Sequence, residues 1–144
     1  MKFLITPLIL SLSIVTSYSQ IHKNCKTIIV KHVGFLEVCN MLLDKNYKIE
    51  KKDNELQTVE TTQTEYIKSF NATFIIEVRV KDSTAYITGN FTAPPGGGLA
   101  YKEPIYNVVD KNGVTKVKTL SGYPFSKLVE FAKAFNKEVE FIKP

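Results

Sequence analysis

The stretch "NATFIIEVRVKDSTAYITGNF", residues 71–91, decides the fold. Phe74, Ile76, Val78 and Val80 recur at every second position, while Glu77 and Arg79 share the alternate positions with Ile75. A period of two, with β-branched residues on the apolar side, is the pattern of a strand with one buried face. "KDS" at residues 81–83 supplies a turn, and Ala85, Ile87 and Phe91 resume the same parity in a second strand. Gly89 leaves a gap in that apolar row. The pair is therefore an antiparallel hairpin, and its apolar face needs something to cover it.

The cover is legible on either side of the hairpin. In "GFLEVCNMLLDKN", residues 34–46, the period changes: Phe35, Cys39, Leu42 and Leu43 fall on one helical face, with Leu36 and Val38 at its margin. In "SGYPFSKLVEFAKAFNK", residues 121–137, Phe125, Leu128, Phe131, Ala132 and Phe135 recur at helical spacings, and Pro124 suits a first turn. Both segments read as amphipathic helices that pack on a sheet. The remaining segments read as strands. "CKTIIVKHV" gives a buried strand at about residues 26–31. "YKIEKKDNELQTVETT" gives two strands joined at Asp53-Asn54, with Tyr47, Ile49 and Lys51 on one parity. "EPIYNVVDKNGVTKVKTL" gives a further hairpin about Asn112-Gly113, and "VEFIK" a last strand. The order is β-α-β-β-β-β, then a β-hairpin, then α-β. The expected class is α+β: an antiparallel β-sheet packed on one face by two amphipathic helices.

The run "VGFLEVCNMLLDKNYKIEKKDNELQTVETT", residues 33–62, is a helix followed by an aromatic-led strand and a charged turn into a threonine-rich strand. It resembles small bacterial envelope domains with a TATA-binding-protein-like, or helix-grip, sheet, of the kind found in the outer-membrane assembly lipoprotein BamC. The resemblance spans roughly residues 26 to 92 and the second helix. It implies a fold and an envelope setting, and it carries over no catalytic residue.

Residues 1–19 read as a secretory signal peptide: Lys2, an apolar run from Phe3 to Val15, then small residues around Ser17 and Ser19. The run is shorter than the ~20 residues of a membrane-spanning helix, and Cys25 follows "HKN", unlike a lipoprotein signal. The expectation is an exported chain, periplasmic or secreted, with residues 20–144 forming one domain and no transmembrane span after signal removal. The chain carries 19 basic and 14 acidic side chains, yet Arg79 is its only arginine and the lysines are spread out. Nucleic-acid readers cluster arginine on one face or interleave it with stacking aromatics, so no nucleic-acid partner is expected.

Little chemistry is visible in the motifs. "NFTAPPGGGLAYKEPIYN", residues 90–107, has the glycines of a phosphate loop but no helix start behind them. Lys102 comes too late and Pro104 favours extended chain, so the segment reads as a strand connection. If it has a further role, Pro94, Pro95, Gly96, Gly97, Gly98, Tyr101 and Tyr106 are the candidate contacts to a protein partner. His22, Cys25, His32 and Cys39 have ligand types that zinc accepts, but Cys39 lies on the apolar helix face and His22 in the amino-terminal tail. No metal or other cofactor is expected.

Export favours a Cys25–Cys39 disulfide. The strand back to Cys25 spans roughly 20 Å while the helix to Cys39 rises about 8 Å, a mismatch beyond the ~7 Å that bridged Cα atoms tolerate. The leading alternative makes Cys39 a small core residue and Cys25 a residue near the chain end. His32 has no serine or carboxylate at a catalytic spacing and reads as a surface or capping residue. Sequons occur at Asn71 and Asn90. The chain is thus expected to be a non-enzymatic binding or scaffold module of the bacterial cell envelope with an envelope protein as partner. "QTVETTQT", residues 57–64, is its expected edge strand. The alternatives are a small secreted enzyme or enzyme inhibitor, and a carrier whose apolar cavity is lined by Phe74, Ile76, Phe91, Phe131 and Phe135.

Overall fold

The computed structural model describes residues 20–67, 71–93 and 101–142. The hairpin read from residues 71–91 is its centre. Strand β5 (Ala72–Lys81) and strand β6 (Thr84–Ala93) pair over their whole length, from Thr73↔Thr92 to Lys81↔Thr84. Asp82 and Ser83 close the turn at φ of 49° and 55°. Two consecutive positive φ values give the turn a twist that matches the flanking strands, and short polar side chains tolerate it.

Each long strand is flanked by short ones. β3 (Thr58–Thr61) and β4 (Thr64–Ile67) lie along β5, while β1 (Ile28–Lys31) and β7 (Tyr101–Pro104) lie along β6. β2 (Ile49–Asp53) pairs with β3, and β8 (Val139–Phe141) pairs with β1. The result is an eight-stranded antiparallel sheet in the order β2-β3-β5-β6-β1-β8, with β4 and β7 as side branches. Helix α1 (Phe35–Asp44) contacts β2 and β5, and helix α2 (Gly122–Lys133) contacts β1 and β6. The fold is α+β, an antiparallel sheet with two helices, as the periodicities require.

One core row crosses five strands: Val59, Val78, Ile87, Ile28 and Phe141 are cross-strand partners in turn, each 6% exposed or less. Burying an aliphatic or aromatic side chain of this kind contributes about 1.5–3 kcal/mol, so this row and the helix residues above it are a major source of hydrophobic stabilisation. Phe125, Leu128, Phe131, Ala132 and Phe135 of the second helical segment all join the cluster. Phe131 meets Phe135 edge to face at 5.3 Å, and Tyr47 packs on Phe131 from the first helix's side. The five residues considered as a cavity lining are thus members of the same packed cluster.

Several sequence expectations need correction. On α1 the buried stripe is Phe35, Val38, Cys39 and Leu42, while Leu36 and Leu43 point outward. At about 100° per residue, Leu43 lies one step beyond the stripe that Val38 completes. The Asp53-Asn54 connection is longer than two residues: Asp53 Oδ1 accepts from the amides of Glu55 and Leu56, and the positive φ falls on Gln57. A bulge between Ile49 and Lys51 breaks the expected parity of β2, so Ile49 pairs with Thr61 but Lys51 pairs with Glu60 on the opposite face. The expected hairpin at residues 105–119 reduces to one bridge, Val109↔Thr115, around Gly113 at φ 79°. Around that bridge the Asp110 amide donates to the Val114 carbonyl and the Lys116 amide to the Val108 carbonyl, but at the start of the segment the Asn107 amide donates to the Cys25 carbonyl and the Asn24 amide donates to the Asn107 carbonyl. Val114 and Val117 are exposed, so the second half of the segment has no apolar face to hold it as a ladder.

Candidate functional site

Both helices cover the same face of the sheet, and strand parity sends every second side chain to the other. That second face carries a groove of about 860 Å³. The central row of that face is Asp53, Thr58, Arg79, Tyr86, Ile29 and Glu140, cross-strand partners in turn, of which the first four line the groove. The next row is Lys51, Glu60, Glu77 and Thr88. Glu60 directly opposite Glu77 is a like-charge pair, which alone is destabilising. Two neighbours offset it. Lys51 Nζ donates to Glu60 at 2.7 Å, which raises the lysine above its ordinary pKa, and Asn90 Nδ2 donates to Glu77 at 2.8 Å. The bulge in β2 is what brings Lys51 to this face.

Arg79 is the exception. It is exposed, centred in the row, and has no hydrogen bond or ion pair among the described residues. A guanidinium presents five donors in a planar fork that matches a carboxylate, and Tyr86 beside it adds an aromatic body with a polar tip.

A second depression, of about 440 Å³, lies where the inner face of the sheet emerges beyond the helices. On β7 the inward positions are Tyr101 and Glu103, opposite Ala93 and Phe91, and the next inward residue, Ile105, is fully buried. Ala93 is small, and the Tyr101 ring meets the Phe91 ring edge-on at 6.2 Å. Tyr106, Val108, Leu120 and Ser121 form the opposite wall. Ser121 Oγ accepts from the Tyr106 amide at 2.7 Å and donates to the Tyr106 carbonyl at 2.8 Å, so a buried hydroxyl fixes that tyrosine's backbone. Behind the wall, Tyr66 donates to the Leu120 carbonyl at 2.6 Å and stacks on Tyr123 at 5.4 Å. Burial, with Tyr101 nearby, pushes the Tyr66 phenol up to about 12. Lys127 Nζ sits 5.8 Å over the Tyr123 ring at the margin of this aromatic patch.

Of the contacts named from the sequence, Tyr101 and Tyr106 come together in this cleft; Pro94, Pro95, Gly96, Gly97 and Gly98 lie outside the described residues, as does the signal segment, residues 1–19. Tyr101 belongs to a strand and not to a loop, a pairing that Pro104 permits because it closes an edge strand. Cys25 and Cys39 are free and both buried, so the disulfide is not formed, and Cys25 is a core residue. Burial raises both thiols above the ordinary range. Among the described residues no three His, Cys, Asp or Glu side chains gather as a metal site. His32 turns the chain between β1 and α1 at φ 59°, its carbonyl accepting from Lys137 Nζ at 2.5 Å.

The expected edge is also corrected. β3 is flanked by β2 and β5, Val59 and Thr61 are buried, and Thr61 Oγ1 accepts from the Ile76 amide. The sequence missed the open face as a site because Arg79 reads there as one solvated charge among many. Among the described residues no helix is long and apolar enough to cross a membrane. Comparison with models of known protein families and with curated proteins finds no match to this chain.

Proposed function

We propose that the chain is a non-enzymatic binding module of the bacterial cell envelope, exported by its first 19 residues, whose open sheet face receives an acidic segment of a protein partner. The observation that carries this reading is Arg79, the one arginine of the chain, which among the described residues is unpaired at the centre of a face whose other central charges are engaged. A partner carboxylate completes the guanidinium's hydrogen bonding, and Tyr86 and Ile29 supply apolar contact beside it. Arginine and tyrosine are the residue types that dominate interface energetics.

The test places a photo-crosslinking residue at Thr58 or Thr88 on the open face and at Asn40 on α1 in the exported protein. The expected result is one envelope protein captured from Thr58 and Thr88, lost in a folded Arg79→Ala variant and partly kept in Arg79→Lys. Equal capture from Asn40, or capture indifferent to Arg79→Ala, overturns the reading. One observation favours a second reading, hydrolysis by paired carboxylates: Glu60 and Glu77 face each other across strands in the groove. Loss of a measured hydrolytic activity in both Glu60→Gln and Glu77→Gln would establish it, since carboxylate pairs act only together.

A further inference from the structure

We propose that the cleft between β7 and the 105–121 segment is a binding site for a small organic cation, a quaternary or alkyl ammonium group. Three aromatic side chains, Phe91, Tyr101 and Tyr106, line it, and among the described residues Glu103 is its only charged lining residue. In a chain with 19 basic and 14 acidic side chains, a depression with no lysine or arginine in its lining among the described residues selects against an anionic ligand. Glu103 is exposed and has no hydrogen bond or ion pair among the described residues.

Strand parity explains why Glu103 stands there. It follows Tyr101 by two residues and faces Phe91 across the ladder, so its carboxylate and the aromatic rings share one side of the strand. The negative ring faces of tyrosine and phenylalanine attract a cation within about 6 Å, most strongly where water is displaced, and a carboxylate neutralises the remaining charge. The same patch already holds one ammonium, Lys127 over Tyr123, with Glu130 as its carboxylate at 2.7 Å. The cleft at Tyr101 repeats that arrangement with no cation of the protein's own among the described residues. At about 440 Å³ its volume lies in the range of small-ligand sites. The cleft and the open face lie on opposite sides of the sheet.

The experiment titrates the mature protein with tetramethylammonium and choline, following the Tyr101 and Tyr106 ring resonances. Dimethylbutanol, the neutral carbon isostere of choline, serves as the comparison. Both cations should shift the two rings and the isostere should not. Glu103→Gln and Tyr101→Ala should each weaken choline binding by about tenfold, while Lys102→Gln, on the outer side of β7, leaves it unchanged. Because Glu103 is exposed, Glu103→Gln leaves folding intact and keeps the test valid should Tyr101→Ala unfold. Equal binding of the isostere, or undiminished binding to Glu103→Gln, overturns the proposal, as does the absence of ring shifts. Phosphatidylcholine vesicles form a further arm: co-sedimentation assigns the cation to a lipid headgroup, and binding of free choline alone assigns it to a soluble ligand.

Discussion

Asn107→Ala isolates the contacts that hold the wall of the aromatic cleft to the amino-terminal end of the domain. Asn107 is fully buried, its Nδ2 donates to the His22 carbonyl at 2.9 Å, and its Oδ1 accepts from Thr115 Oγ1 at 2.8 Å. The backbone bonds to residues 24 and 25 survive the substitution, so only the two side-chain bonds are lost. Each contributes about 1 kcal/mol net. His22 and Thr115 are half-buried, so water reaches the groups left behind and the further desolvation cost stays small. The sum is about 2 kcal/mol, which for a domain of this size lowers Tm by roughly 6–10 °C. Urea unfolding followed by tyrosine emission measures it, since the chain has no tryptophan, and the m value should not change. A double-mutant cycle with Thr115→Val should return a coupling of about 1 kcal/mol, because that hydroxyl bonds the Asn107 side chain alone. A loss below about 0.5 kcal/mol, the range of ordinary surface substitutions, or zero coupling to Thr115, would refute this account.

Gly89→Ala should destabilise by about 2–3 kcal/mol in the same assay, because a Cβ there overlaps the Ile75 carbonyl oxygen and approaches Ile105 Cδ1 to 2.9 Å. Thr61→Val should cost about 1–3 kcal/mol by leaving the buried Ile76 amide without its acceptor; a neutral result would return β3 to the sheet edge. The Tyr66 phenol, at about 12 in the folded state, lies above the ordinary tyrosine value of about 10. Its contribution to stability is therefore complete below about pH 10 and lost as pH rises through 12. The stability difference between the wild type and Tyr66→Phe should shrink over that window in alkaline urea melts, and a constant difference would contradict it. Cys25 and Cys39 should resist alkylation in the folded protein and both react in denaturant, read by intact mass; a mass showing no free thiol would restore the disulfide.

The amino-acid sequence by itself determined both helices, the long β5–β6 hairpin, the strands β1, β2, β3 and β8 and, within the long strands, their faces; β4, β7 and the reduction of the 105–119 hairpin to one bridge were not legible in it. The alternation from Ile76 to Val80 reads directly as buried and more exposed positions, as does the helical spacing from Phe125 to Phe135, because a side chain's direction within one element follows from its period, while Ile75 on the alternate parity is buried as well. Gly89 was visible as a gap, but its reason, the close approach of Ile75 and Ile105, was not. Only the tertiary structure decided which strands neighbour one another. β3 entered the sheet interior because β2 pairs outside it, and one bulge moved Lys51 to the face of Glu60. The 105–119 segment keeps a ladder of only one bridge, Val109↔Thr115, because the backbone of Asn107 pairs with residues 24 and 25. Both candidate sites arise at this level. Arg79 is unpaired among the described residues because Thr58 and Tyr86 lie across from it, and Glu103 stands beside Tyr101, Phe91 and Tyr106 because β7 joins β6 at one register. Pairing partner and register depend on contacts between residues far apart in the chain, and a local period carries no information about them.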